Sequence, residues 1–169
     1  MKIRQVGLEY LDEIRNITEK TFIETFGKEN TEEDIESYIK ENVSREKVRQ
    51  ELMNPASLFY IVERNDRIVA YMKLNLEGAQ TEEGYSNSLE IQRIYVLNDF
   101  KRKRIGRRLM DKAIEEAGSR QVDFVWLGVW ENNTKAIAFY EKHGFTIFDK
   151  HVFKLGDDEQ TDYLMKRPI

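Results

Sequence analysis

The apolar residues of this chain change their spacing along the sequence, and that change constrains the fold more than any other feature. Between Leu8 and Phe26 they recur at the spacing of a helix, and the pattern returns after Thr31 and after Ser44. From residue 58 onward, aromatic and β-branched runs indicate strands instead. The predicted order is a strand at 2–7, helices at 8–26, from 31 and from 44, strands at 58–62, 68–76 and 88–96, a helix from 106, a strand at 124–129, a helix at 133–143, and closing strands from 145 and at 161–165.

This order of elements predicts an α/β (α+β) fold with one mixed central sheet flanked by helices. Side-chain oxygens of Thr31, Ser44 and Asn133 are placed to cap the helices that follow them, and Gly27 is placed to end the first helix. The chain has 169 residues, of which 40% are hydrophobic, and it has no Gly/Ser-rich linker. We therefore expect a single domain spanning residues 1–169.

The composition excludes several classes of protein. There is no cysteine, which excludes disulfide scaffolds and thiolate metal sites, and with only two histidines we expect no metal. No apolar run approaches the roughly 20 residues of a membrane span, and the first residues lack the apolar stretch of a signal peptide. We therefore expect a soluble cytoplasmic protein that does not bind membranes.

Positive charge is concentrated between a predicted strand and a predicted helix. Six of the eight residues from 101 to 108 are basic, although the chain as a whole has a net charge of −4. The start of a helix offers free N–H groups to an anion, and Gly106 lets the backbone approach it closely. We interpret the run as a phosphate or pyrophosphate site. A solvated basic surface is the alternative, and a nucleic-acid patch is less favoured because no aromatic residues are interleaved with the charges.

Two sequence patterns together resemble a known family. The segment 88–145 resembles the GNAT superfamily of acyl-CoA-dependent N-acetyltransferases, whose loop Gln/Arg-x-x-Gly-x-Gly/Ala corresponds here to residues 101–106. Lys101 replaces the usual Gln or Arg, and Arg104 replaces the first Gly. The later family signature, Asn-x-x-Ala-x-x-Phe-Tyr followed by Gly-Phe, is present in full at Asn133, Ala136, Phe139, Tyr140, Gly144 and Phe145.

Four further segments, at 21–26, 88–95, 126–131 and 156–162, are similar to the bacterial PaiA-type spermidine/spermine N-acetyltransferases. The resemblance implies a GNAT-type fold in which the parallel strands at 88–96 and 123–130 splay apart. It also implies acetyl-CoA as donor, a polyamine as the small-molecule acceptor and no nucleic-acid partner. Homodimers are common in the family, and we expect one here.

The resemblance also implies which residues bind the cofactor. The backbone of the central strand would pair with the pantetheine arm, the basic loop would hold the pyrophosphate, and the facing helix would add side-chain contacts. The implied cofactor-binding residues are Ile94, Tyr95, Val96, Arg102, Lys103, Arg104, Ile105, Gly106, Arg107, Asn133 and Lys142.

Two residues are the candidates for proton transfer. Tyr140 matches the family tyrosine that serves the leaving thiolate, although a reference tyrosine (pKa ~10) is a weaker acid than a reference thiol (~8.5), so a hydrogen bond followed by solvent reprotonation remains open. An alkylammonium of pKa ~10.4 must lose a proton before it attacks, and Glu90 is our candidate base. It lies four residues before Ile94, so strand alternation predicts one shared face. An ion pair with Arg93 and deprotonation through water are the alternatives for Glu90.

The helices near the N-terminus are expected to select the acceptor. Residues 29–41 are rich in acidic side chains, which suits a polycation, although a solvated helix face explains any single one equally well. Other amines (a protein N-terminus, lysine or an aminoglycoside) and a non-catalytic acetyl-CoA-binding regulatory module remain alternatives. The predicted substrate-binding residues are Phe22, Phe26, Glu33, Tyr38 and Trp130.

Overall fold

In the part of the chain that the structure describes, seven strands form one mixed sheet with helices on both of its faces. The computed structural model describes residues 1–155 and 157–169, so Gly156 of the last resembling segment lies outside the described residues. The predicted order of elements is confirmed, except that residues 8–10 form a 3-10 turn before the first helix and the closing strands are longer. The elements are β1 (Lys2–Val6), α1 (Leu11–Phe26), α2 (Glu32–Asn42), α3 (Arg45–Met53), β2 (Ser57–Arg64), β3 (Arg67–Leu76), β4 (Ser88–Val96), α4 (Ile105–Ser119), β5 (Phe124–Trp130), α5 (Thr134–Lys142), β6 (Thr146–Leu155) and β7 (Asp158–Pro168).

The expected helix caps are present. The side chain of Thr31 accepts a hydrogen bond from the backbone N–H of Asp34 at 3.1 Å, and Ser44 and Asn133 accept in the same way at the starts of α3 and α5. Such caps satisfy N–H groups that a helix leaves free, and each contributes about 1 kcal/mol. The positions at which these three helices begin therefore follow from local sequence. No helix of the described residues has both the length and the apolar character needed to cross a membrane.

Strands β4 and β5 lie side by side only over the first half of their length. The sheet order is β1-β2-β3-β4-β5-β7-β6, and β4 runs parallel to β5. Their pairing joins residues 88–91 to residues 124–127, whereas β4 continues to Val96 and β5 to Trp130. The predicted splaying of the parallel strands is confirmed, and we call this opening the fork.

A β-bulge lies at the point where the fork begins. Lys73 pairs with Arg93 and Leu74 pairs with Ile91, so Gln92 is an extra residue in β4. An extra residue reverses the alternation of side chains beyond it.

The prediction that Glu90 and Ile94 share a face is therefore wrong. Leu89 and Ile91 are buried beneath α4, and after the bulge Ile94 and Val96 pack against that same cluster. Glu90 instead faces the other side of the sheet.

The helices divide between the two faces of the sheet. On one face α4 and α5 contribute Leu109, Ala113 and Tyr140 to the larger buried cluster. On the other face α1 packs on β3 and α3 packs on β2, while α2 contacts α1, α3 and β6. A third cluster joins Phe26 to Trp130 at the end of β5, which places the N-terminal helices over one side of the fork.

Candidate active site

A cleft of about 1000 Å³ passes through the fork and opens toward both faces of the sheet. Its size is at the upper end for small-molecule sites. One side is formed by the start of α4 and by α5, and the other by α1, α2 and the loop before β4. The predicted site residues that line it are Phe22, Phe26, Tyr38, Glu90, Ile94, Tyr95, Val96, Arg102, Arg104, Ile105, Gly106, Arg107, Trp130, Asn133 and Tyr140.

Three predicted site residues do not line the cleft. Lys142 is exposed, because two residues along α5 from Tyr140 correspond to a rotation of about 200° around the helix. Glu33 is exposed for the same reason, since it lies two residues before the buried Ile35 on α2. The Nζ of Lys103 lies 5.4 Å over the ring of Phe100, on the outside of the basic loop.

The start of α4 has the features of an anion site. No side chain caps it, in contrast to α2, α3 and α5, so its first N–H groups have no such partner. Its first turn carries Arg107 and Arg108, which the positive end of a helix disfavours by about 0.3–1 kcal/mol each. An anion bound at this end would attract both arginines and offset this repulsion.

The loop before α4 keeps a backbone conformation that normally belongs to glycine. Arg104 stands where the family pattern has its first glycine, and it adopts φ +63° and ψ +13°. Arg102 also has positive φ, at +62°. Left-handed geometry costs a non-glycine residue about 1–2 kcal/mol, so the loop preserves its shape at the expense of stability and gains two cations beside the cleft.

Gly106 leaves space between the walls of the cleft. A Cβ at this position would lie 3.6 Å from Cζ of Phe139 and 3.9 Å from Cγ2 of Val96, both ordinary contact distances. The fold therefore has room for alanine here, and the missing side chain leaves the backbone open to the cleft.

Tyr140 reaches the cleft from α5. Its ring is buried edge-on against the rings of Phe139, at 5.5 Å, and Phe145, at 6.1 Å. Burial raises the pKa of the hydroxyl above its ordinary value, so the proton stays on the oxygen at neutral pH. The group is therefore suited to donate a hydrogen bond to a ligand in the cleft.

Glu90 is held by hydrogen bonds within the protein. Its carboxylate accepts from Nδ2 of Asn75 and the backbone N–H of Thr81, both at 2.9 Å, and from Oγ1 of Thr81. The side chain is 2% exposed and still lines the cleft. The alternative of an ion pair with Arg93 is not observed, because Arg93 contacts Glu51 instead.

Sequence reasoning missed an ion-pair network beside Glu90. Glu51 on α3 contacts Lys73 Nζ at 2.5 Å and Arg93 Nη2 at 2.9 Å. Burial opposes the ionisation of Glu51, but the two cations outweigh it and lower the pKa of this carboxyl. Residues 51, 73 and 93 lie on three different elements, so no local spacing indicated the network.

Sequence reasoning also assigned no role to Asp162. Its Oδ2 lies 3.5 Å from the position that a Cβ on Gly128 would occupy, inside the cleft. Within the described part of the chain, its carboxylate has no hydrogen bond and no ion pair. Burial raises the pKa of this carboxyl to about 6, although nearby His151 opposes the shift. Asp162 lies in the segment 156–162, and the resemblance of that segment to the PaiA-type enzymes was the only indication that the sequence offered.

Aromatic rings form the wall below the N-terminal helices. Phe22 stacks on Tyr38 at 4.3 Å between centroids, and Phe26 contacts Trp130 at 5.4 Å. All four were predicted to contact the acceptor, and the structure brings them together. Of the acidic residues between 29 and 41, Glu29 lines the cleft, whereas Glu32, Glu33, Asp34, Glu36 and Glu41 do not.

Comparisons of the sequence and of the structure with known proteins all find N-acetyltransferases. The model of the acetyltransferase (GNAT) family matches residues 11–145. A protein of Lactobacillus delbrueckii subsp. lactis, named as an uncharacterized N-acetyltransferase, is 39% identical over 169 residues, which are all of this chain and 98% of that protein. The spermidine N(1)-acetyltransferase of Thermoplasma acidophilum is 24% identical over 171 residues, with 99% of this chain and 96% of that protein covered. The crystal structure of the PaiA N-acetyltransferase from Thermoplasma acidophilum, in complex with coenzyme A, matches with a TM-score of 0.82 at 24% identity, and the match covers 99% of this chain and 98% of that one.

The geometry at Gly106 predicts the effect of a single methyl group. We expect Gly106→Ala to weaken coenzyme A binding by about tenfold or more, because the added Cβ occupies the space through which the phosphates approach the backbone. Isothermal titration calorimetry with coenzyme A measures this. Gly118→Ala is the matched control, since it adds the same methyl to α4 with nothing within 4 Å, and its affinity should be unchanged. Equal affinities in both variants would remove Gly106 from the binding site.

Proposed function

Because the chain belongs to the acetyltransferase (GNAT) family and is an N-acetyltransferase, we propose that it moves the acetyl group of acetyl-CoA to a primary amine of a polyamine such as spermidine or spermine. The amine attacks directly, in a ternary complex. The observation that supports this proposal is the composition of the cleft. Uncapped N–H groups and arginines line it beside α4, while aromatic rings and the unpaired Asp162 line it beneath α1 and α2.

The first of these two regions fits the donor. Acetyl-CoA supplies an acetyl group activated as a thioester. Its pyrophosphate would bind the start of α4 and the cations of residues 102–107, and its amide-rich arm would lie along β4 at residues 94–96, where the fork leaves that edge without strand pairing. Asn133 lines the same region and is already engaged as the cap of α5.

The second region fits a flexible organic cation. Aromatic faces attract ammonium groups and also pack well against methylene chains, and the ring cluster offers both properties. The name of the Thermoplasma relative adds support for spermidine as the acceptor. Acetylation of other amines is the alternative that the experiment must separate.

The proposal is tested by measuring thiol release from acetyl-CoA with a panel of amines. The panel consists of spermidine, spermine, lysine, a peptide with a free N-terminus and an aminoglycoside. We expect kcat/KM for a polyamine to exceed that for every other acceptor by at least about tenfold. Turnover of another acceptor alone would overturn the polyamine assignment, and bound acetyl-CoA without turnover of any acceptor would favour a regulatory module.

Tyr140 is proposed to stabilise the leaving thiolate. Its raised pKa makes complete proton transfer unfavourable, so a hydrogen bond from the hydroxyl followed by reprotonation from water is the preferred pathway. The aromatic packing against Phe139 and Phe145 fixes the direction of the hydroxyl.

We expect Tyr140→Phe to lower kcat by roughly 10²-fold while leaving the Kd of acetyl-CoA unchanged, because the ring and its packing are retained. Steady-state kinetics and calorimetry measure the two quantities. Tyr60→Phe is the control, since it removes a tyrosine hydroxyl that is buried outside the cleft. Full activity in Tyr140→Phe would refute the proposed role.

Glu90 is proposed to take up the proton of the acceptor amine through a water molecule. Three donors hold its carboxylate, and Oε2 accepts only one of them, so this oxygen retains capacity for a further partner.

Two variants separate the carboxylate from one of its hydrogen bonds. Thr81→Val deletes a hydroxyl that hydrogen-bonds Glu90 but keeps the carboxylate, so kcat should stay within about tenfold of the wild type. Glu90→Gln removes the base and should lower kcat by roughly 10²-fold or more. If Glu90→Gln keeps the wild-type kcat while thermal melts show folded protein, Glu90 does not act as the base.

A further inference from the structure

We propose that Asp162 binds the ammonium group of the acceptor at the fork and thereby selects cationic substrates. The inference rests on the proposed function, because it assigns a residue to the recognition of the amine. It adds a second carboxylate to the site, with a role different from that of Glu90.

The position of Asp162 ties it to the reacting end of the cleft. On β7 it pairs in register with Trp130 of β5 and His151 of β6. Its carboxylate lies beside Gly128, and Gly128 is the residue directly after Leu127, where the parallel pairing of β4 and β5 stops. An amine bound by Asp162 would therefore lie at the mouth of the fork, next to the β4 edge proposed to hold the donor.

Burial and bonding state together distinguish Asp162 from the other carboxylates of the cleft. Glu90 is held by Asn75 and Thr81, Glu82 contacts His151 Nδ1 at 2.6 Å, and Glu24 accepts the backbone N–H of Asn98 at 3.0 Å. Asp162 has no such partner among the described residues and is half-buried, whereas Glu29, which lines the cleft and also lacks a partner there, is exposed. A partly desolvated carboxylate without a partner is costly, and a cationic ligand is the simplest means of satisfying it.

The surroundings of Asp162 suit an alkylammonium better than a hydrated metal ion. Trp130 and Phe153 belong to the apolar cluster at this end of β5, and Leu164 Cδ2 also lies 3.6 Å from the Cβ position of Gly128. The indole N–H of Trp130 donates to Oε1 of Gln160 at 2.6 Å, which fixes the ring. One charged group and a largely apolar wall match one ammonium group of a substrate and the methylene chain attached to it.

Two titratable groups face Asp162 from neighbouring elements. His151 on β6 is in contact with Glu82, and its charge opposes the upward shift of the Asp162 pKa. Tyr38 on α2 has a pKa raised by burial and, to a smaller extent, by Asp162, so it stays neutral. Since only ionised Asp162 attracts a cation, the KM for the acceptor should rise about tenfold from pH 7 to pH 5, as expected for a group of pKa about 6.

The kinetic test compares two variants of the same strand. Asp162→Asn should raise the KM for spermidine by about tenfold to a hundredfold, with kcat within about threefold and the Kd of acetyl-CoA unchanged. It should also lose the rise in KM between pH 7 and pH 5. Glu159→Gln removes one carboxylate from an exposed position of β7 and should match the wild type.

Thermal stability shows whether Asp162→Asn is folded. Because the folded pKa of Asp162 lies above its ordinary value of 3.8, the folded protein retains a proton that the unfolded chain loses between about pH 4 and pH 6. Stability therefore falls as the pH rises through that window, and the loss is complete above it. The melting temperature of Asp162→Asn should be higher than that of the wild type at pH 8 and equal to it at pH 4.

A direct titration separates this inference from the polyamine assignment. Carbon-13 NMR follows the resonance of the Asp162 carboxyl group in the wild type. This resonance is assigned because it is absent from the spectrum of Asp162→Asn. Propylammonium chloride should lower the midpoint of its titration, whereas equal sodium chloride should not. An unchanged midpoint overturns the inference. If the wild type acetylates spermidine and Asp162→Asn has the same KM for spermidine, the inference is overturned as well. A lowered midpoint in a protein that does not acetylate polyamines sustains the role of Asp162 and refutes the polyamine proposal.

Discussion

The early end of the pairing between β4 and β5 is the constraint on which the rest of the site depends. Parallel strands of this length would ordinarily pair throughout, and the sheet would then have no opening. Here the pairing stops at Ile91 and Leu127, and the next residue of β4, Gln92, is the extra residue of a β-bulge. Bulges bend and twist a strand. Beyond the bulge, β4 stays paired with β3 and separates from β5. The cleft is the space that this divergence leaves.

The two faces of the sheet give the two sides of the cleft different chemistry. The start of α4 lies on one face with its N–H groups uncapped and arginines around it. The N-terminal helices cover the other face and bring Phe22, Tyr38 and Phe26 against the end of β5. In the proposed function, the phosphate-rich donor binds the first region and an ammonium group of the acceptor binds the second. The fork would then let two oppositely charged molecules meet from opposite faces of one sheet.

Several residues of the site lower the stability of the fold. Arg104 keeps a left-handed backbone that would suit glycine, Arg107 places a cation at the positive end of a helix, and Asp162 is partly desolvated without a partner among the described residues. Each departs from a local preference, and all three line the same cleft. Such violations are expected at functional sites, where the ligand supplies the missing interaction.

Local sequence determined the elements of this protein and the residues at their ends. Thr31, Ser44 and Asn133 cap their helices as expected, because capping involves groups only three residues apart, and the family motifs placed Gly106 and Tyr140 in the cleft. Tertiary structure decided which side chains meet. The bulge at Gln92 turned Glu90 away from the face of Ile94, and Asp162 reached Gly128 through the pairing of β5 with β7. These contacts depend on register between distant segments, and a one-residue change in register moves a side chain to the opposite face of the sheet.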